Sequence, residues 1–79
     1  MYWVYVIKND LKKIYTGHTG RLFKRVQDHL NGNSNWTSRF KGWHLIYYES
    51  FDTRAAAMKR EKELKSGKGR DELKRKGII

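Results

Sequence analysis

The chain has 79 residues, with 18 Lys and Arg against 8 Asp and Glu, which gives a formal net charge of +10. A chain this short forms only a small core, which excludes a large internal substrate cavity. It has no cysteine, which excludes disulfides and a thiolate zinc site. No apolar run approaches the roughly 20 residues that a membrane span needs. We therefore expect one cytoplasmic domain over residues 1–79.

The excess positive charge favours a polyanionic partner, because cations that neutralise phosphates release counterions from nucleic acid. Half of the basic residues fall in the segment 59–76, which is therefore expected to contact a nucleic-acid backbone. They are Lys59, Arg60, Lys62, Lys65, Lys68, Arg70, Lys74, Arg75 and Lys76. An ordinary solvated helix face is the alternative, and an acidic protein or membrane surface would also attract such charge.

The first predicted element is a β-hairpin. Residues 2–8 are rich in aromatic and β-branched side chains, Asn9 and Asp10 form a turn signal, and residues 13–18 form the second strand. Both faces of the first strand are apolar, so we expect both to be at least partly covered.

The next predicted element is an amphipathic helix over about 20–30. Leu22, Phe23, Val26 and Leu30 have helical spacing and define its buried side, and Asn31-Gly32-Asn33 ends it. A polar loop follows. Within it, Trp36 and Phe40, together with Trp43, either stack on an unpaired base or form a small satellite core.

A third strand is predicted over 43–49. Asp52 or Thr53 can cap a helix that runs to about Lys65, with Gly67 as a left-handed C-terminal stop. A last short helix is predicted over 71–76. The order ββα then βαα predicts a small α+β fold, a three-stranded, mostly antiparallel sheet flanked by helices.

Polar side chains occupy two positions that an amphipathic pattern would leave to the core. Arg25 and His29, one turn apart, lie at the edge of the first helix's buried side. They either belong to a site, or Arg25 covers the sheet with its stem and His29 is a boundary residue. Glu61 lies on the apolar face of the later helix, where a carboxylate needs Arg, Lys or a metal as partner. A structural ion pair is the alternative there.

With these residues in place, the chain resembles the GIY-YIG nucleases, in particular small standalone bacterial members related to the N-terminal nuclease domain of the bacterial excinuclease. The resemblance covers nearly the whole chain in four segments: WVYVI, YTG, GHTGRLFKRVQDHLNG and AAAMKREKELK. Its ordered residues are Tyr5, Tyr15, Gly17, Arg25, His29 and Glu61. Trp3-Val4 and Thr16 depart from the name-giving tripeptides. No Asn or Gln follows Asn35, so Lys65 or Lys68 would replace a supporting amide.

The resemblance implies a metal-dependent DNA endonuclease that acts in repair or recombination. By analogy, Glu61 holds one Mg²⁺ or Mn²⁺, and Tyr5 deprotonates or orients the attacking water with support from Tyr15. Arg25 stabilises the transition-state charge and His29 assists proton transfer. Because the pKa of a free tyrosine is about 10, Arg25 and the metal are expected to lower that of Tyr5.

The predicted nucleic-acid contacts surround this site. Gly17 would let the chain turn closely after the second strand, and the neighbouring His18 either contacts phosphate or is a surface residue at the strand end. Further contacts are expected from Arg21, Lys65, Lys68 and Arg70. A catalytically weak or inactive nucleic-acid-binding module is the alternative function, and the sequence leaves the oligomeric state open.

Overall fold

The computed structural model describes residues 1–31 and 42–79. The predictions that concern Gly32, Asn33, Trp36 and Phe40 lie outside the described residues. The elements are β1 (Tyr2–Lys8), β2 (Ile14–Thr19), α1 (Leu22–Leu30), β3 (His44–Phe51), α2 (Arg54–Lys65) and α3 (Gly67–Arg75). No helix in the described ranges has both the length and the apolar character needed to cross a bilayer.

The three strands form one antiparallel sheet in the order β2-β1-β3, so β1 is central. In the β1–β2 register, Tyr5 is paired with Gly17 and Val4 with His18. The predicted fold class, an α+β arrangement of a three-stranded antiparallel sheet flanked by helices, is confirmed. Because side chains alternate along a strand, Gly17 and His18 lie toward opposite faces of the sheet.

Each face of the sheet carries its own apolar cluster. On one face, buried Val4 and Val6 pack against α2 and α3 through Ala57, Leu64 and Leu73. On the other face, Tyr5 and Ile7 pack against Trp43, with Tyr15 and Leu22 beside them. The expectation that both faces of β1 are covered is therefore confirmed. Trp43 is buried in this cluster, so it is not available to stack on a base.

Helix α1 meets the sheet with a more polar face than its sequence pattern predicted. The α1 residues that are buried or half-buried are Leu22, Arg25, Val26, Asp28 and His29, so three of the five are polar or charged. Phe23 is 80% exposed and Leu30 is also exposed, so the prediction that these two side chains are buried was wrong. The cause lies in the sheet, since its face below α1 carries tyrosine hydroxyls that a polar helix face can hydrogen-bond.

The α2–α3 junction also differs from the prediction. Thr53 caps α2, its hydroxyl accepting from the Ala56 N–H at 3.2 Å. The helix ends at Lys65, as expected, but the prediction that Gly67 is a left-handed stop was wrong, since it is the first residue of α3. Extended Ser66 (φ −74°, ψ 163°) separates the helices and accepts from the Gly69 N–H at 3.2 Å. Because Ser66 caps a new helix directly, α3 begins four residues before the predicted position.

Arg60 fixes α2 relative to β3 and α3. Its guanidinium donates to Glu49 on β3 at 2.7 Å and also to Glu63 and Glu72, the latter on α3. The hydrogen bonds from Arg60 hold the pKa of Glu72 at about 2. This network orients the helix that carries the neighbouring Glu61.

We expect Gly69→Ala to destabilise the fold. A Cβ at this buried position would overlap the Glu63 carbonyl oxygen and the Leu64 Cα, which are backbone atoms that cannot rotate away. The free energy of unfolding should fall by about 1–3 kcal/mol, the usual cost of overpacking. Urea denaturation measures it, with Gly67→Ala as the control because, among the described residues, no atom from outside its own helical segment lies within 4 Å of its Cβ position. Equal urea midpoints for the two variants would show that α2 and α3 do not pack this closely.

Candidate active site

Two tyrosines and a histidine meet between the sheet and α1. The Tyr5 hydroxyl and His29 Nε2 share a hydrogen bond of 2.8 Å, and both residues are only 1% exposed. The Tyr15 ring lies 4.8 Å from the His29 ring and 6.2 Å from the Tyr5 ring, measured between centroids. The structure thus brings together three residues that are distant in the sequence.

Gly17 provides the space in which the Tyr5 hydroxyl lies. A Cβ at Gly17 would be 2.7 Å from the Tyr5 hydroxyl oxygen and 3.1 Å from Cε1 of Tyr15. Gly17 lies within β2, not in a turn, so its contribution differs from the expected one. The absence of a side chain, and not a special backbone angle, allows Tyr5 to reach His29.

Arg25 adds positive charge to this cluster. Its guanidinium interacts with the hydroxyls of both Tyr5 and Tyr15 and lies 4.0 Å from an Asp28 carboxylate oxygen. The Arg25 side chain is 36% exposed. It therefore contacts the buried tyrosines and is still accessible to an anion from solvent.

Burial determines the protonation states of the hydrogen-bonded pair. Burial raises the pKa of Tyr5 well above its ordinary 10.0, the Tyr15 hydroxyl raises it further, and Arg25 only partly opposes this. Arg25 acts in the expected direction and lowers the pKa of Tyr5, but burial outweighs this cation on its own. Burial, helped by the charge of Arg25, lowers the pKa of His29 to about 4. At neutral pH both groups are uncharged, and His29 is the group able to accept a proton.

The low pKa of His29 makes stability depend on pH. As pH falls below 6.5, the unfolded chain protonates this ring, while the folded chain keeps it neutral down to about pH 4. The free energy of unfolding should therefore decrease as pH falls through this range. NMR titration of the ring protons should give a midpoint near 4, with His29→Gln assigning the resonance and removing this part of the pH dependence. A midpoint near 6.5 would contradict the dominance of burial.

Glu61 lies beside the edge strand β2, on the face of the sheet opposite the tyrosines. Its carboxylate contacts His18 Nδ1 at 2.7 Å and accepts from Lys65 Nζ at 2.8 Å, and its side chain is 19% exposed. Burial raises the pKa of Glu61, but hydrogen bonds from Lys65 and His18 outweigh it and hold the pKa below the ordinary value. The predicted need for a positively charged partner is met by Lys65, and His18 contributes a second contact.

The edge strand β2 lies between the Glu61 carboxylate and the tyrosine cluster. Tyr5 and Gly17 lie on the α1 side of the sheet, whereas His18 lies on the α2 side with Glu61. Because β2 is an outer strand of this sheet, no further strand in the described part of the chain lies beyond it at this edge. The negative charge of Glu61 contributes to the raised pKa of Tyr5. The carboxylate and the tyrosine cluster therefore influence each other around one sheet edge.

The predicted backbone-contacting residues do not all converge. Lys65 and Arg70 line a groove of about 320 Å³ that also contains Tyr15. Lys68 lines a different groove, beside Glu72, so it is separated from the tyrosines. Arg21 directly precedes α1, on the side of the sheet that carries Tyr5.

The donor set at this edge fits one hydrated cation. Within residues 1–31 and 42–79, no three His, Asp or Glu side chains converge as metal ligands. Mg²⁺ keeps several waters and often takes only one or two protein carboxylates, and Glu61 is ionised and partly exposed. A divalent cation would replace the Lys65 ammonium as the positively charged partner of the Glu61 carboxylate. The residues thus fit a cation held by one carboxylate, water and substrate, and do not fit a cage of protein ligands.

Comparison with known proteins identifies the class. The family model described as the GIY-YIG catalytic domain matches residues 1–75, and the chain belongs to this family, as its motifs predicted. More narrowly, it is similar to small UPF0213 proteins. One from Haloquadratum walsbyi is 36% identical over 82% of this chain and 74% of its own length. One from Staphylococcus saprophyticus is 34% identical over 92% and 90%.

A solved structure supports the same assignment. The solution NMR structure of a UPF0213 protein from Bacillus halodurans is 27% identical, covers 92% of this chain and 82% of that chain, and gives a TM-score of 0.55. The fold described above is therefore shared with an experimentally determined relative.

Two features of the site were missed by reasoning from sequence. The first is the contact between His18 and Glu61, which are 43 residues apart. The alternation of β2 could have indicated it, because His18 must lie on the face opposite Gly17. The second is the space that Gly17 leaves for the Tyr5 hydroxyl. Predicting it would have required knowing that Gly17 is paired with Tyr5 in the β1–β2 register.

Proposed function

We propose that this protein is a metal-dependent DNA endonuclease that hydrolyses phosphodiester bonds. The observation that carries the proposal is the buried 2.8 Å hydrogen bond between Tyr5 and His29, beside the guanidinium of Arg25. Membership of the GIY-YIG catalytic domain family supports the same reaction class. The proposal includes a single cytoplasmic nuclease domain and a role in DNA repair or recombination.

In the proposed mechanism, Tyr5 and His29 act as one proton relay. As the oxygen of the attacking water bonds to phosphorus, the water gives a proton to the Tyr5 oxygen and the Tyr5 hydroxyl proton passes to His29 Nε2, so the tyrosinate form does not accumulate. The P–O bond to the leaving oxygen breaks, and that oxygen takes a proton from solvent. This requires the His29 tautomer that carries its proton on Nδ1. The neutral state of His29 above about pH 4 makes the acceptor available at neutral pH.

The other residues bind and stabilise the phosphate. Arg25 would stabilise the negative charge that develops on the phosphate oxygens, and Tyr15 would orient Tyr5 and the phosphate. A Mg²⁺ or Mn²⁺ held by Glu61 would supply further positive charge at the scissile phosphate. The partly exposed guanidinium of Arg25 supports its assignment, since it contacts the tyrosines and is open to solvent.

The basic surface would hold the nucleic-acid backbone. Lys65 and Arg70 share a groove with Tyr15 and are the proposed contacts nearest the tyrosines, with Arg21, His18 and Lys68 farther out. Contacts to phosphates carry no sequence information directly. The proposed enzyme therefore recognises backbone shape and not a long base sequence.

A nucleic-acid-binding module without strong activity is the second candidate. Two observations favour it: burial raises the pKa of Tyr5, and Glu61 is already paired with His18 and Lys65. In that case the protein would bind nucleic acid through its basic surface without cleaving it.

Incubation with plasmid, branched and single-stranded DNA distinguishes the two. Each substrate is tested with Mg²⁺, with Mn²⁺ and with EDTA, and binding is measured over a range of salt concentrations. The nuclease proposal expects strand cleavage that EDTA abolishes. Salt-sensitive binding without cleavage under any metal would support the binding module instead.

A further inference from the structure

An apolar groove bordered by cations lies beside the proposed active site. It has a volume of about 520 Å³ and is lined by Trp3, Gly20, Arg21, Leu22, Phe23 and Lys24. A volume of this size lies within the range of small-ligand sites, about 300–1,000 Å³. The groove is therefore large enough for part of a nucleotide.

The aromatic side chains of this groove are not part of the core. Phe23 is 80% exposed at the start of α1. Trp3 contacts the exposed Tyr48 edge-to-face, with ring centroids 5.9 Å apart. An exposed apolar patch rimmed by polar residues is one of the marks of a ligand-binding groove, and Phe23 would offer such a ligand a planar apolar face.

The charges around the groove select the kind of ligand. Arg21 forms no ion pair with a carboxylate of residues 1–31 or 42–79, and the sequence of residues 32–41 contains no Asp or Glu. The described carboxylate that pairs with Lys24 is that of Asp28, at 3.1 Å, on an exposed helix face. Free positive charge favours a phosphate-bearing ligand, and a net charge of +10 opposes docking of a second copy of the chain.

We propose that this groove binds an unpaired base of the nucleic-acid substrate, stacked on Phe23 and Trp3, with its backbone on Arg21 and Lys24. The inference rests on the proposed function and names its substrate class: strands with an unpaired nucleotide next to the cleaved bond. Trp3 lies two residues before Tyr5 on the same strand face, about 7 Å away along the strand. A base stacked there is a close neighbour of the phosphate at Tyr5.

The test compares stacking with simple apolar contact at Phe23. Fluorescence anisotropy would measure binding of single-stranded DNA, of a duplex with an unpaired overhang, and of a fully paired duplex. Stacking on an aromatic ring should be lost in Phe23→Ala and Phe23→Leu and kept in Phe23→Tyr. Because Phe23 is exposed, all three variants should fold, and Met58→Ala, an exposed apolar residue on α2, is the control.

We expect Phe23→Ala and Phe23→Leu to weaken binding of unpaired DNA by about 5- to 150-fold, the range found for one stacked base. Affinity for the paired duplex should change less than about twofold. Retained affinity in Phe23→Leu, or equal losses on paired and unpaired DNA, would overturn the groove proposal while leaving the nuclease proposal intact. A wild-type dimer that Phe23→Ala dissociates would assign the groove to self-association. Absence of any salt-sensitive DNA binding would overturn both proposals.

Discussion

Tyr5→Phe is expected to lower the rate of DNA cleavage by about 10²–10⁴-fold, the usual contribution of a positioned acid or base. The substitution removes only the hydroxyl that shares the 2.8 Å hydrogen bond with His29, so the proton relay is interrupted while the ring still fills its place. Single-turnover cleavage of a labelled substrate measures the rate. Salt-dependent binding of the same DNA should change little, because the basic surface is unaltered.

The matched control for this variant is Tyr2→Phe on the same strand. The Tyr2 ring packs on the α2 side of the sheet, and phenylalanine retains the ring over which Arg54 lies at 5.7 Å. We expect wild-type cleavage from this control. Tyr5→Phe should also lower the free energy of unfolding by about 1–3 kcal/mol, since a buried hydrogen bond is lost, so rates are compared at a temperature where both variants are folded. A Tyr5→Phe enzyme as fast as the wild type would show that the Tyr5 hydroxyl takes no part in the reaction.

Glu61→Gln is expected to lower the cleavage rate by about 10²–10³-fold, comparable to the loss of one preorganised electrostatic contact. Glutamine keeps the shape of the side chain but lacks the negative charge that would hold a divalent cation. Binding of Mn²⁺, followed by the loss of its free electron paramagnetic resonance signal, should weaken in parallel. This second readout separates a defect in metal binding from a defect in chemistry.

Glu63→Gln is the control for the charge change. Glu63 lies on the same helix, is half exposed and pairs with Arg60 at 3.2 Å, away from the tyrosines. We expect it to cleave DNA and to bind Mn²⁺ like the wild type. If Glu61→Gln retains both properties, Glu61 is a structural partner of His18 and Lys65, and the metal assignment is wrong.

The strands were predictable because their signals are local. The aromatic and β-branched content of β1 gave its bounds correctly as Tyr2–Lys8. The face of α1 was less predictable, because the apolar spacing of Phe23 and Leu30 does not reveal which residues the sheet presents to the helix. Because Tyr5 and Tyr15 place hydroxyl groups on that surface, Arg25 and His29 can hydrogen-bond them, which apolar side chains cannot do.

The approach of Arg25 and His29 to the two tyrosines could be predicted from the sequence, but the electrostatics of the cluster could not. The helical spacing of Arg25 and His29 and the inward position of Glu61 indicated a site. The direction in which the pKa of Tyr5 shifts depends on how completely the packed cluster excludes water, which no local pattern contains. Because the pKa of Tyr5 is raised and that of His29 is lowered, the proposed mechanism assigns the role of proton acceptor to the neutral His29.

The claim that Tyr5 and Glu61 serve one reaction across the β2 edge is tested most directly by a double-mutant cycle. Single-turnover cleavage rates are compared for the wild type, Tyr5→Phe, Glu61→Gln and the double variant. We expect the wild type to cleave DNA with Mg²⁺ or Mn²⁺. Because residues that act as a unit give non-additive losses, we expect the double variant to be about as slow as the slower single variant. A wild type that cleaves no DNA with either metal, or losses that multiply in the double variant, would contradict the existence of one shared active site.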